Sequence, residues 1–356
     1  MLIVLDQIDK IKSIDKSNML NDLFNTPLHC RDAIKRAKKV NLPKFEPPKN
    51  IIIVGMGGSA IGGEILKDWL RDELAISIEV CRDYILPAYV NEKTLVFANS
   101  YSGNTEETLT AFNSAIKRKC TVLAVTSGGQ LEKQCKEQKV PYVKIPSGLQ
   151  PRVAVSYLFF SLPVLLEKLG IITNIENELN DAIAIIEGVI KDNASSIPFE
   201  NNNAKQLAAK LVNCIPVIYG FRQYTSIAHR LKAQFNENSK LHSKSDVFPE
   251  LNHNETVGYE APTALNKKHS VVLIRDPEEP AEIRARIETT TELVFNRAKN
   301  VLEISAKGDS KLAKMLSVMF TGDYVSVYLA ILQNIDPTPV KIIEKVKNKL
   351  AKKAVI

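Results

Sequence analysis

The chain has 356 residues, room for about two domains of ordinary size, and 45% of them are hydrophobic, enough to build large buried cores. Its 47 Lys and Arg against 40 Asp and Glu leave a net charge of +7, an excess suited to an anionic small molecule or to simple solubility. The basic residues are scattered apart from Arg36–Lys39 and a basic C-terminal helix, without interleaved aromatics, which argues against nucleic-acid binding.

Met1–Leu5 meets the acidic Asp6 at once, which is not the pattern of a secretory leader. Strands are predicted at 51–54, 78–81, 94–99, 121–126 and 142–145, rich in Val and Ile and mostly apolar, as strands covered on both faces must be. Helical patterns lie between them at 60–74, 105–118 and 131–139, an alternation that predicts a parallel sheet with helices on both sides. Helices follow at 153–169 and 175–190. Within the first of these, the apolar run Val153–Leu166 is shorter than the ~20 residues of a membrane span and is predicted as a buried helix. The polar stretch Asn193–Asn203, with Pro198 and three successive asparagines, is the candidate linker. A second series then runs helix 204–212, strand 216–219, helix 227–237, strand 270–275, helix 281–298, strand 301–304 and helix 312–332, closed by a helix from Pro339 to Ala354. The expected fold is a two-domain α/β protein, both halves doubly wound around parallel sheets, the first over residues 1–192 and the second over 204–356.

The five cysteines, Cys30, Cys81, Cys120, Cys135 and Cys214, are far apart with no C-x-x-C, which excludes a zinc finger or disulfide framework and points to a reducing cytoplasm. His29, His229, His242 and His269 show no metal-ligand spacing, and Trp69 is expected in the core.

Two loops carry possible ligand chemistry in the first half. Gly55–Gly63 (GMGGSAIGG) joins the first strand to its helix, where glycines allow close backbone approach and free N–H groups attract an anion. The same spacing satisfies the dinucleotide fingerprint G-x-G-x-x-A, but Arg82 and then Asp83 stand where an acidic residue should close the second strand, so an NADP enzyme stays open. The second loop, Asn99–Thr108 (NSYSGNTEET), ends the third strand. Asn104 with Glu107 would make a capping box, which leaves Ser100, Ser102 and Thr105 unexplained. Hydroxyls so dense at the carboxyl edge of a parallel sheet suit a phosphate dianion. Together, Gly57-Gly58-Ser59 and Ser100-x-Ser102-Gly103-x-Thr105 resemble the phosphosugar-binding pattern of sugar isomerase domains.

In the second half, Gln234–Lys240 (QFNENSK) is followed by Phe248–Glu255 (FPELNHNE). Taken by themselves, Glu237 and His253 are an ordinary solvated carboxylate and a loop histidine. As a pattern, N-E-N-x-K followed by P-E-L-N-H-N-E resembles the bifunctional phosphoglucose/phosphomannose isomerases, and the ending Asp336-Pro337-Thr338-Pro339-Val340 with Ile343, Val346 and Lys347 fits as well. The resemblance covers nearly the whole chain. Val346 stands where Leu is more usual, and Ser239 where Ala or Thr is.

The resemblance implies an aldose–ketose isomerase that interconverts fructose 6-phosphate with glucose 6-phosphate and mannose 6-phosphate through an enediol, without metal or other cofactor. It implies Glu237 as proton-transfer base and His253 as ring opener, with Lys347 assisting and Lys345 close in register. Arg152, after Pro151 at a helix start, would stabilise the enediolate, a task for a permanent, fixed charge. The phosphate would rest on Ser59, Ser100, Ser102 and Thr105 with the amides of Gly57 and Gly58. It further implies a homodimer with His253 supplied by the neighbouring subunit. Small residues such as Thr338 would leave the room that C1–C2 rotation needs for dual specificity. A non-catalytic sugar-phosphate sensor would need neither Glu237 nor His253, and an NADP oxidoreductase would leave the hydroxyl loop unexplained.

Overall fold

The computed structural model describes residues 2–353, so Ala354, the predicted end of the last helix, lies outside the described residues. Short helices α1 (Ile8–Ile14), α2 (Met19–Phe24) and α3 (Thr26–Lys38) form an N-terminal arm. Then come β1 (Asn50–Val54), α4 (Gly58–Leu70), β2 (Ser77–Cys81), β3 (Thr94–Ser100), α5 (Glu106–Lys117), β4 (Thr121–Thr126), α6 (Gly129–Glu137) and β5 (Tyr142–Lys144). These strands build a five-stranded sheet in the order β2-β1-β3-β4-β5, all pairings parallel. The central strands β1, β3 and β4 are buried on both faces, one face against a cluster with Ala111, Phe112 and Leu131 and the other in the main core, whereas the edge strands β2 and β5, expected to be covered likewise, are partly exposed.

Helices α7 (Val155–Lys168), α8 (Glu176–Asn193) and α9 (Asn203–Leu211) lead to the second sheet. It is formed by β6 (Ile215–Phe221), α10 (Thr225–Glu237), β7 (Lys244–Phe248), α11 (Thr263–Asn266), β8 (His269–Arg275), α12 (Ala281–Leu293) and β9 (Asn300–Ser305), with strand order β7-β6-β8-β9, again parallel. Strand β7 was not expected from sequence. Its residues, Lys-Ser-Asp-Val-Phe, are mostly polar because it is an edge strand paired only with β6, so it lacks the apolar run that marks its neighbours. Helix α12 stops at Leu293, short of the expected 298, and a 3-10 turn at Phe295–Arg297 completes that stretch. Helices α13 (Lys311–Leu332) and α14 (Lys341–Lys353) end the chain.

Among the described residues, helix α13, not the Val153–Leu166 run, is the one long and apolar enough to cross a membrane, and it is almost wholly buried here, packed against α8, α9 and α10. Its Tyr324, Tyr328, Leu329 and Ile331 belong to one continuous core that runs from Leu5 to Leu332 and includes Trp69. Burying each such large side chain contributes about 1.5–3 kcal/mol, so α13 is what fastens the second sheet to the first half. The Asn193–Asn203 stretch is a fixed connection. Asn193 Oδ1 accepts from Ala204 N, Asn202 Oδ1 caps α9 through Lys205 N, and the fully buried Lys205 donates to Asp6 and to the Ser195 and Ile197 carbonyls.

Candidate functional site

After β1 the chain turns through Gly57 at φ +49 and enters α4. The glycines that follow serve close packing. A Cβ on Gly58 would lie 2.6 Å from the Pro151 carbonyl oxygen, one on Gly62 2.9 Å from that of Leu158, and one on Gly63 2.7 Å from Ile53 Cγ2. Helix α7 and the residues before it therefore rest directly on α4, which brings Arg152 to the glycine loop. Arg82 is committed to Glu64 at 2.7 Å, so the residue that would have read a 2′-phosphate is already paired.

The hydroxyl loop lies beside the glycine loop: Ser59 Oγ accepts from Tyr101 N at 3.1 Å. Ser100 Oγ donates to Thr105 Oγ1 at 3.0 Å and accepts from Gly103 N at 3.1 Å, while the exposed Ser102 accepts from Asn104 N at 3.2 Å. Gly103, at φ +68, admits no side chain, because its Cβ would fall 1.7 Å from the Gly128 carbonyl oxygen. The expected capping box is not formed. Thr105 is the N-cap of α5, without a side-chain cap bond, and the close Gly103–Gly128 packing turns the Asn104 carboxamide outward to accept from Gln130 N at the start of α6 instead. Asn99, fully buried at the end of β3, has no hydrogen-bond partner at either amide atom among the described residues.

Arg152 stands where the two halves meet and is only 2% exposed. Its Nε donates to Asn238 Oδ1 at 2.6 Å, its Nη2 to the Pro337 and Thr338 carbonyls at 2.9 and 2.8 Å, and its Nη1 lies 3.6 Å from Glu237 Oε2. Burial lowers its pKa and Glu237 opposes that; a guanidinium stays charged regardless. The backbone of Arg152 is held too: Arg230 Nη2 donates to its carbonyl at 3.1 Å and to Asp323 Oδ2 at 2.6 Å, both ion-pair partners being buried. Burial pushes the Asp323 carboxyl up while Arg230 pulls it down. Asn238 in turn donates to Ser326 Oγ at 2.9 Å.

Arg230 and Asp323 were not singled out from sequence. The signal was there: Arg230, Gln234 and Asn238 recur every fourth residue along α10, a polar stripe on a buried face, and Asp323 and Ser326 make its counterpart on α13.

Glu237 closes α10, with its side chain 30% exposed, and lines a cavity of about 520 Å³ together with Lys240, Asp336, Pro339, Val340 and Ile343. Thr338 is buried near Arg152 with its hydroxyl unpartnered among the described residues. Lys345 and Lys347 are both exposed on α14.

His253 lies elsewhere. It ends a 3-10 turn, exposed, with flanking Asn252 and Asn254 bonded to Thr290 and Glu250 rather than to it. Gly220 of β6 faces α10, since its Cβ would sit 3.3 Å from Ala228 Cβ, so the adjacent Tyr219 points to the opposite face of the sheet. Glu255 accepts from Tyr219 OH at 2.9 Å and pairs with Lys244. The segment that carries His253 is thereby pinned on the sheet face away from α10, and the second sheet stands between His253 and Glu237 of the same chain.

Two parallel doubly wound sheets, with hydroxyl loops at the carboxyl edge of the first and a buried arginine beside a carboxylate between them, define a sugar isomerase (SIS) domain protein. The C-terminal domain of glucosamine-fructose-6-phosphate aminotransferase from Francisella tularensis has the same fold, with a TM-score of 0.68 at 18% identity over 90% of this chain and 98% of that one. Residues 200–350 match the family described as bacterial phospho-glucose isomerase C-terminal SIS domain. The chain is 41% identical over 335 residues, 94% of its length and 99% of the relative's, to a bifunctional phosphoglucose/phosphomannose isomerase of Caldicellulosiruptor bescii. It is 36% identical to one of Aquifex aeolicus over 86% of this chain and 92% of that one. A more distant relative in Sulfolobus acidocaldarius, 29% identical over 89% of this chain and 93% of its own length, is a D-glucosamine-6-phosphate 4-epimerase. This chain belongs to the family of bifunctional phosphoglucose/phosphomannose isomerases.

Proposed function

We propose that the protein interconverts fructose 6-phosphate with glucose 6-phosphate and mannose 6-phosphate by proton transfer between C1 and C2. The observation that carries this reading is the buried Arg152, held by three side-chain hydrogen bonds, with Glu237 3.6 Å from it on the wall of a cavity. In this mechanism the Glu237 carboxylate removes the proton from C2 of the aldose or C1 of the ketose. The electron pair of that C–H bond forms the C1=C2 enediolate, whose oxygen charge faces Arg152, and Glu237 returns the proton to the other carbon. A fixed cation aimed at charge that develops only in the transition state is where electrostatic catalysis is strongest. The mechanism as proposed uses no metal.

The phosphate is assigned to Ser59, Ser100, Ser102 and Thr105 with the amides of Gly57 and Gly58. Arg152, held between those loops and Glu237, sets the reach from phosphate to reacting carbons. Thr338, with a free hydroxyl and a small side chain, leaves space for the C1–C2 bond to rotate, so that either epimer at C2 is protonated.

Ring opening is assigned to His253 of a second copy, with Lys347 or its neighbour Lys345 assisting. The position of the second sheet between His253 and Glu237 supports a site shared within a homodimer. Five buried, unpaired cysteines favour a reducing cytoplasm.

The test is NMR of the protein with fructose 6-phosphate in heavy water. Glucose 6-phosphate and mannose 6-phosphate, each deuterated at C2, are expected. Glucose 6-phosphate alone would reduce it to one activity, and binding without turnover would leave a sensor.

A further inference from the structure

We propose that Lys240 is a positioning residue of the isomerase site, its Nζ clipping the carbonyl of Glu237, at the end of α10, to the Pro337 carbonyl that Arg152 also holds. The inference rests on the reading of Glu237 as the base.

The backbone prepares the clip. After Glu237 the chain reverses through Lys240 at φ +55, and Leu241 N bonds back to the Phe235 carbonyl at 3.2 Å. This is the left-handed turn with which helices commonly end, and glycine adopts it at the least cost. Lysines also occupy left-handed positions after α5 and α6, at Lys119 and Lys139, both exposed, so the backbone position by itself says nothing. What sets Lys240 apart is where its ammonium goes. The residue is exposed overall, yet Nζ donates to the Glu237 carbonyl and, in a part-buried bond of 2.8 Å, to the Pro337 carbonyl. Pro337 thus receives two cations, Arg152 Nη2 from the first half and Lys240 Nζ from the second.

The consequence is geometric. Glu237 is the last residue of α10, just before the turn through Lys240, and Thr338 lies on the irregular segment between α13 and α14. Arg152 already ties these two ends through Asn238 and the Pro337 and Thr338 carbonyls, and Lys240 adds a second tie, from the Glu237 carbonyl itself, to the same Pro337 oxygen. Base, enediolate-stabilising cation and Thr338 are thereby set in one frame, and a misplacement of ~1 Å in such a frame costs on the order of a hundredfold in rate.

The charged groups that face Lys240 are Arg152 before α7, Asp336 after α13, Glu237 on its own helix and Lys341 of α14, which lines the same cavity. Partial burial first, then repulsion from Arg152, brings its pKa down to about 8, with Asp336 and Glu237 acting the other way. Loss of the ammonium proton leaves a neutral amine, a weaker donor to both carbonyls, so the clip loosens as pH rises through about 8.

The experiment compares Lys240→Gly, Lys240→Arg and Glu237→Gln by steady-state kinetics on fructose 6-phosphate from pH 6 to 10, with thermal unfolding alongside. Glycine suits the left-handed turn, so K240G should melt no lower than the parent. Its kcat should nonetheless fall about ten- to a hundredfold, with KM nearly unchanged because the phosphate is held elsewhere. In the parent the rate should decline above about pH 8. K240R should recover much of kcat and carry that decline to higher pH, because a guanidinium does not deprotonate there. K240G with kcat within about twofold of the parent, a loss confined to KM, or an unmoved alkaline decline in K240R would each overturn the proposal. If E237Q is inactive while K240G is unimpaired, the clip alone is wrong. If E237Q turns over at the parental rate, the assignment of the base fails and the clip falls with it.

Discussion

The two halves share an architecture but put different ends of it to use. In the first half the candidate groups stand where parallel sheets usually bind ligands, at the carboxyl edge: Ser59 after β1, Ser100 to Thr105 after β3, Arg152 beyond β5. In the second half the groups that meet Arg152 come from helix ends, Glu237 and Asn238 closing α10 and Pro337 and Thr338 just beyond α13. Its own carboxyl-edge loop, with His253, is turned to the other face of the sheet. The usual rule for such sheets thus finds the hydroxyl loop and misses the Glu237 end of α10. The second half meets Arg152 with the opposite edge, while its His253 loop faces away.

The sharpest way to break this comparison is to separate the two functional ends of the second half. Glu237→Gln should lower turnover by about 10²–10⁴-fold, the usual contribution of a general base, and His253→Ala should impair turnover of the ring-closed substrate. Co-expressed, the two inactive variants should recover about a quarter of parental activity, because half of randomly paired dimers carry one intact site if Glu237 and His253 meet across the two-fold. No recovery would put both residues to work within one chain.

Next in size is the support beneath Arg152. Arg230→Met leaves Asp323 a buried, uncompensated charge and should cost about 3–5 kcal/mol in urea unfolding. Adding Asp323→Leu should restore most of that stability but not kcat, since the Arg152 carbonyl has still lost its donor. If the double variant regains full activity, the pair serves stability alone.

Gly58→Ala probes the contact between the glycine loop and the Pro151–Arg152 turn before α7. The new Cβ, 2.6 Å from the Pro151 carbonyl, must push Arg152 away at a cost of about 1–3 kcal/mol, and kcat should fall with it. Unchanged kinetics would mean that Arg152 tolerates the shift.

The smallest effect concerns the joint between the halves. Asp68 of α4 accepts from Ser226 N at the start of α10 at 2.7 Å, and burial raises its pKa to about 6. A carboxyl whose folded value is raised stabilises most below its unfolded value and loses that contribution as pH rises through 6. Asp68→Asn keeps the acceptor and does not titrate. The variant should therefore be the more stable at pH 7, by about 1–3 kcal/mol, with the gap closing toward pH 4. An equal pH dependence in both proteins would show that Asp68 does not sense this joint.

Much of this was legible beforehand because the signals are local. The Val- and Ile-rich strands β1, β3 and β4, the glycines that let α4 and α7 touch, and the hydroxyls of the Ser100–Thr105 loop are properties of a few consecutive residues. Strand β7 was not legible, because a polar edge strand lacks that signature. Nor was the outward turn of Asn104, which a close packing of Gly103 on Gly128 decides. The Arg230–Asp323 pair lies 93 residues apart in sequence, and each partner alone looks like any charged helix residue.

By itself the sequence determined the two parallel sheets and the family, since periodicity, turn residues and motif spacing act over a turn of helix or a length of strand. Only the tertiary structure decided that Glu237, Asn238, Lys240 and Pro337 converge on Arg152 while His253 faces away. That choice depends on which edges of two sheets are pressed together by the apolar surface of α13, and burial of apolar surface carries no information about which polar groups it will bring face to face.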